Sequence, residues 1–317
     1  MGKYDSAWKD ILKTHFKDFI LFYFPHIAKN IDLTHPVQFL DKELEKLAPG
    51  NRSPGRLADL LVNLHSRTAT EQLLYCHVEV QGQKEPAFTE RLFHYAYRIY
   101  DRLKSFPLNL VVLTDSDPYF YPDAFEITTA ERYVRVEFHV AKLLYYKKRA
   151  GQPEYRDNPF ARVTEVQLEV NELKRSGKRG IKREEEEYEL KKRWVLRLYD
   201  SGYRSEYIRS LLLFLDWVIQ LPKELEWKLM DEITEERGGR VMPYVTSWER
   251  IGIEKGKQEG RIEDKQEVII RLLGKKFSLT EEERETIKKV KDINKLNDAI
   301  DAFVFAQTKE EVLKLLR

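Results

Sequence analysis

Residues 56–64 (RLADLLVNL) and 73–81 (LLYCHVEVQ) are two apolar runs on either side of a short polar stretch, residues 66–71. No other feature limits the fold so narrowly, because the pattern asks for two adjacent strands joined by a turn. In the second run, alternation places Leu74, Cys76, Val78 and Val80 on one face and Tyr75, His77, Glu79 and Gln81 on the other. A hairpin symmetric about Ala69 sets Asp59 directly opposite Glu79, with Cβ atoms about 4.5–5.5 Å apart. Two carboxylates facing each other across a sheet repel unless a cation lies between them. Mg²⁺ takes hard oxygen ligands and keeps several waters. Asp59, Glu79 and the backbone carbonyl of Val80 therefore form a candidate site for Mg²⁺ or another divalent cation.

The rest of the first half alternates helix and strand signals. Residues 5–24 carry Trp8, Ile11, Leu12, Phe16, Phe19 and Ile20 at helical spacing, and Pro25 closes that helix. A short strand is expected at 37–40, and a Pro/Gly/Asn-rich loop at 48–55. A helix over 86–103 has the apolar stripe Phe88, Leu92, Ala96, Ile99 and Leu103, and the continuous apolar run 108–113 reads as a buried strand. Further strands are expected at 124–128 and 133–138.

Near residue 170 the composition shifts, and residues 171–193 hold nine basic and six acidic side chains. This segment reads as a solvated, partly helical connection. Helices are then expected at 194–199, 205–220, 223–235 and 245–273, with shorter ones after 279. The expected organisation is an α/β domain over 1–170, a charged connection over 171–193 and an all-helical region over 194–317. Gly252, Gly256 and Gly260 recur every fourth residue of a charged helix, where close helix–helix approach or a hinge would justify them. The closing apolar positions Ile287, Val290, Ile293, Leu296, Ile300 and Phe303 suggest a small bundle or an oligomerisation element.

A hydrophobic content of 42% and an aromatic content of 12% over 317 residues exclude a disordered chain. The net charge of +2 leaves no global positive field, so nucleic-acid binding would need local patches. Cys76 is the sole cysteine, which excludes a disulfide framework and a CxxC metal site. The start lacks the apolar core of a signal peptide, and no stretch nears the roughly 18 apolar residues of a membrane span. A cytoplasmic address is the expectation.

An aspartate about twenty residues before Glu79-Val80-Gln81 on a strand resembles the motif of the PD-(D/E)XK nuclease superfamily. More closely, the chain resembles the Rpn family of recombination-promoting nucleases, also described as YhgA-like transposases. The stretches that carry the likeness are Tyr4-Asp5-Ser6-Ala7-Trp8-Lys9, Leu57-Ala58-Asp59-Leu60, His77-Val78-Glu79-Val80-Gln81 and Arg91-Leu92-Phe93-His94-Tyr95. The tail from Trp248 to Gly256 is similar as well. The resemblance implies a restriction-endonuclease-like mixed sheet flanked by helices, and a Mg²⁺-dependent DNA endonuclease linked to recombination or mobile elements. It also implies Asp59 and Glu79 as metal ligands, with Asp5 as an acid on the first helix that completes the site. Gln81 stands where the superfamily has lysine; it can orient a water but brings no charge. The Rpn family carries glutamine at this place.

Several of these residues have a plain structural reading beside the functional one. Asp5 also suits a helix N-cap. Arg91, Tyr95, Arg98 and Arg102 recur at i, i+4, i+7 and i+11, which makes either a phosphate-contacting stripe or an ordinary solvated helix face. His77 shares the Glu79 face and is either a neighbour of the metal or a satisfied core histidine. Two other functions compete with the endonuclease: a catalytically weak nucleic-acid-binding module, and an interaction protein assembled through its helical half.

Overall fold

The computed structural model describes residues 7–47, 56–67, 73–238, 262–303, 306 and 308–316. The chain divides into two units, Met1–Val241 and Met242–Arg317.

The first unit is α/β. Its main sheet has five strands in the order β1-β2-β3-β4-β7, built from β1 (Gln38–Phe39), β2 (Arg56–His65), β3 (Leu73–Gln81), β4 (Leu108–Leu113) and β7 (His139–Lys142). The β1–β2 and β2–β3 pairs are antiparallel, whereas β3–β4 and β4–β7 are parallel. Between β4 and β7, β5 (Ala124–Thr129) and β6 (Arg132–Glu137) pair separately as an antiparallel ribbon. Strand β7 carries only four residues with no alternation to betray it, and no periodicity predicts it.

The hairpin adopts the expected register, with Asp59 paired to Glu79 and Leu61 to His77. One departure decides the site: between Arg56 and Ala58 the register shifts, so that Arg56 pairs with Gln81. An extra residue on one strand reverses the alternation beyond it. Arg56 is thereby brought to the Asp59 side.

The first helix of the sequence reading is two helices, α1 (Ala7–Thr14) and α2 (Phe16–Tyr23). His15 interrupts them at φ −125°, where its Nε2 meets Ser210 Oγ at 2.8 Å and its ring sits edge-on to Tyr207. Helix α3 (Pro25–Ala28) and helix α4 (Asp41–Leu47) follow. Helix α5 (Phe88–Leu103) starts two residues after Pro86 and ends on Lys104 in the left-handed region, φ 54°. It lies over the Glu79 face of the sheet, where Phe88 and Leu92 join Val111, Leu113, Phe120 and Phe138 in one buried cluster. Burying each such large apolar side chain contributes about 1.5–3 kcal/mol. That sum holds α5 against the strands that carry the carboxylates.

Helices α6 (Leu143–Ala150), α7 (Pro159–Arg175), α8 (Ile181–Tyr199), α9 (Ser205–Val218) and α10 (Lys223–Glu236) complete the unit. Asn158 caps α7 by accepting from the Phe160 N–H at 2.9 Å. Residue 170 falls inside α7, and the charged stretch 171–193 runs through α7 and α8. Helix α9 packs on α1 and α7, α8 packs on α7 and α9, and α10 packs on α8. The helices up to Glu236 therefore belong to the same unit as the sheet, because their apolar faces are spent on its helices.

The second unit is helical, with α11 (262–276), α12 (Glu281–Lys288), α13 (Ile293–Phe303) and α14 (Lys309–Leu313). Ile269, Leu273, Ile287, Leu296, Ala299 and Val312 form its core, with Val290, Ile300 and Phe303 packed against it. Thr280 and Glu283 close a capping box at the start of α12. Gly252, Gly256 and Gly260, the 48–55 loop and the 68–72 part of the turn lie outside the described residues. No helix among the described residues is long and apolar enough to cross a membrane.

Candidate metal centre

Strands β2 and β3 bring Asp59, His77 and Glu79 together on the face that α5 covers. One ligand atom from each lies within 4.8 Å of the other two. The three residues differ in access: Asp59 keeps 15% of its side chain exposed, whereas Glu79 and His77 keep none. Solvent therefore reaches the cluster past Asp59.

A ring of counter-charges surrounds these acids. His77 Nε2 meets Asp59 Oδ1 at 2.7 Å, and Arg56 donates to Asp59 Oδ2 at 2.8 Å and to the Tyr95 hydroxyl at 2.9 Å. From α5, Arg91 pairs with Glu79 Oε1 and Glu85 Oε2, and approaches Gln81 Oε1 at 3.5 Å. The Gln81 amide donates to the Gln83 carbonyl at 2.8 Å and to Glu85 Oε2 at 3.3 Å. Tyr95 lies over the His77 ring, with centroids 4.8 Å apart and planes 30° apart. Across the parallel pairing, Asn109 of β4 is aligned with His77. The second carboxylate oxygen of Glu79, Oε2, is buried without a hydrogen-bond partner.

The electrostatics follow from this arrangement. Burial favours a neutral Asp59, yet the His77 hydrogen bond and the charges of His77 and Arg56 outweigh it and hold the carboxyl below its usual range. Burial pushes the Glu79 carboxyl up, the Asp59 charge adds to that, and Arg91 and His77 only partly compensate. Burial likewise opposes a charged His77, but the hydrogen bond its ring donates to Asp59 and the charges of the two carboxylates raise it above the ordinary imidazole value. Two acids in one pocket are thus pushed apart.

The donor set could hold a metal ion. Asp59 and Glu79 supply oxygen, His77 supplies nitrogen, and the unpartnered Glu79 Oε2 is a buried acceptor that a cation would satisfy. Val80 sits between Ala58 and Val112 in a strand paired on both sides, with its side chain in the core. Asp5 lies outside the described residues.

The helix stripe expected to meet phosphate divides into two parts. Arg91 and Tyr95 are 8% and 3% exposed, and their polar groups are spent on the carboxylate cluster. They face inward because the Glu79 face of the sheet is roofed by α5 itself. Arg98 is exposed and donates to the Leu47 carbonyl at 3.0 Å, and Arg102 is exposed. Sequence reasoning missed Arg56 and Glu85. A strand aspartate with arginine three positions earlier breaks strict alternation, and only the register shift at residues 56–58 lets that pair meet. Glu85 lies in the loop before α5, where no period exists to read. Family models, curated proteins and solved structures contain no match to the chain.

Proposed function

We propose that the chain is a metal-dependent phosphodiester hydrolase acting on DNA, built as a PD-(D/E)XK nuclease of the Rpn kind. The observation that carries this reading is the direct pairing of Asp59 with Glu79 on one face, beside a buried carboxylate oxygen that has no partner. The bound ion would supply positive charge to the scissile phosphate and lower the pKa of a coordinated water. Asp59, at the open edge, and Glu79, behind it, would hold that ion. Arg91 pairs with Glu79 Oε1, and the unpartnered Oε2 would be the oxygen that holds the ion. Arg56, at the same edge as Asp59, offers a guanidinium to phosphate oxygens. Gln81 would orient the attacking water through Oε1, because its amide N–H groups are donated to the Gln83 carbonyl and Glu85.

The test is cleavage of supercoiled plasmid by the purified chain with Mg²⁺ or Mn²⁺, against the same reaction in EDTA. Asp59→Ala and Glu79→Ala should each abolish metal-dependent cleavage. Cleavage by Asp59→Ala at the wild-type rate would sink the proposal.

A second reading is favoured by one observation. Every carboxylate of the cluster is already paired with Arg56, His77 or Arg91, and Gln81 adds no charge. A network whose charges are already compensated suits a nucleic-acid-binding module with weak or no catalysis. DNA binding that is unaffected by EDTA, with no cleavage under any divalent ion, would select it. Assembly through the helical region is a further proposal, and native mass spectrometry showing a monomeric full-length chain would remove it.

A further inference from the structure

We infer that His77 is itself a ligand of the ion through Nε2, so that the centre is a mixed nitrogen–oxygen site that takes Mn²⁺ or a similar transition-metal ion in preference to Mg²⁺. The inference rests on the metal-dependent reading above and deepens it by naming the class of ion.

The geometry leaves little alternative for the imidazole. Nε2 and Asp59 Oδ1 stand 2.7 Å apart. Ligands bound at about 2.0–2.2 Å in neighbouring positions of one ion are separated by roughly 3 Å. The existing contact is thus already close to the edge of a coordination polyhedron. Glu79 Oε2 offers a third corner, since it is buried and unpartnered and belongs to the residue that groups with Asp59 and His77.

The ring is also unable to avoid an ion seated there. His77 has no exposed surface, Tyr95 covers its face at 4.8 Å, and the strand registers hold it between Leu61 of β2 and Asn109 of β4. Turning Nε2 away from Asp59 would require moving Tyr95, whose hydroxyl is tied to Arg56. An ion between the two carboxylates would therefore meet Nε2, which would coordinate it after releasing to solvent the proton it now shares with Asp59.

That nitrogen selects the metal. Mg²⁺ wants a near-ideal octahedron of oxygens and gives up water reluctantly. Imidazole suits transition ions, and a two-carboxylate, one-imidazole set matches Mn²⁺, Fe²⁺ or Zn²⁺ better than Mg²⁺. The Gln81 position sharpens the point, because its fully buried amide, tied to Gln83 and Glu85, supplies no charge to assist a weakly held Mg²⁺.

Mn²⁺ is the probe, added in less than stoichiometric amount to the full chain. Pulsed electron paramagnetic resonance should detect a directly bound ¹⁴N, converted to ¹⁵N coupling when the histidines are ¹⁵N-labelled. This measurement needs no substitution. Of the seven histidines, only His77 belongs to the cluster, so the signal assigns itself. Calorimetry should give Mn²⁺ an affinity at least about tenfold above Mg²⁺, with His77→Gln erasing most of that preference. Far-ultraviolet circular dichroism checks that this variant is folded. If Mn²⁺ binds at Asp59 with an all-oxygen shell, or Mg²⁺ binds as tightly, the nitrogen ligand is overturned and the metal-dependent reading survives. If calorimetry finds no binding of either ion, both fall together.

Discussion

Asp59 on β2 and Glu79 on β3 stand directly opposite one another, and each has its own partner, the imidazole of His77 for Asp59 and the guanidinium of Arg91 for Glu79. This pairing predicts a thermal signature of the ion. A ligand that binds only the folded chain at one hundred times its Kd adds about 2.7 kcal/mol of stability. Saturating Mn²⁺ should therefore raise the melting temperature of the wild type by several degrees. Asp59→Asn and Glu79→Gln should each lose most of that rise. A rise of equal size in both variants would place the ion elsewhere.

Arg91 makes a second prediction. It is the only cation that the structure pairs with Glu79 and with Glu85 at once among the described residues. Removing one partner of a buried ion pair costs about 3–5 kcal/mol, because the other charge stays buried. Arg91→Leu should lose about that much in urea unfolding. Adding Glu79→Gln should recover part of it, since the stranded charge is then gone. A double variant less stable than the sum of the two single losses would contradict this account.

The site was legible from the sequence where periodicity carried the information. Alternation and a symmetric turn brought Asp59 to Glu79, and the same face to His77 and Gln81. The register shift at Arg56 was not legible, since a bulge leaves no compositional mark in RLADLL. Arg91 and Tyr95 are legible by their helical spacing, which reads as a phosphate-contacting stripe or a solvated face and not as the inward-facing partners of the carboxylates. Spacing identifies which side chains share a helix face and says nothing of what covers that face. The break at His15 has the same character: residues 7–23 are helical in pattern throughout, and the break falls where the His15 ring meets Ser210, 195 positions away. Likewise the shift in charge near residue 170 marks solvent-facing helices. It does not mark a boundary of packing, because α8 to α10 still bury their apolar faces within the first unit.

Lys142 carries a third prediction. It ends β7 with no exposed surface, and its ammonium meets Asp115 at 2.5 Å and the Phe120 carbonyl at 3.2 Å. Asp115 Oδ2 is buried without a hydrogen-bond partner, so the pair is the chief compensation for that charge. Lys142→Met should cost about 3–5 kcal/mol in urea unfolding. Asp115→Asn in the same chain should restore part of it, as the amide oxygen can still accept from the Asp117 N–H. A Lys142→Met loss below about 1 kcal/mol would mean that the pair is as weak as a surface ion pair.

Two histidines of the first unit should shape its stability against pH in opposite directions. Burial holds His15 below its ordinary value, helped by Arg204 and opposed by the charges of Asp18 and Glu206. The unfolded chain then binds a proton that the folded chain refuses. Its contribution is whole above about pH 6.5 and falls as pH drops through that value. His77 is raised by Asp59 and Glu79 despite its burial, so its contribution is whole below about pH 6.5 and is lost as pH rises through the raised value. In EDTA, the wild type should therefore lose stability on both sides. His15→Gln should flatten the acid side between pH 6.5 and 5, and His77→Gln should flatten the alkaline side. Chemical denaturation at fixed temperature across that range separates the two effects. An acid limb that steepens in His15→Gln would show that some other group titrates there.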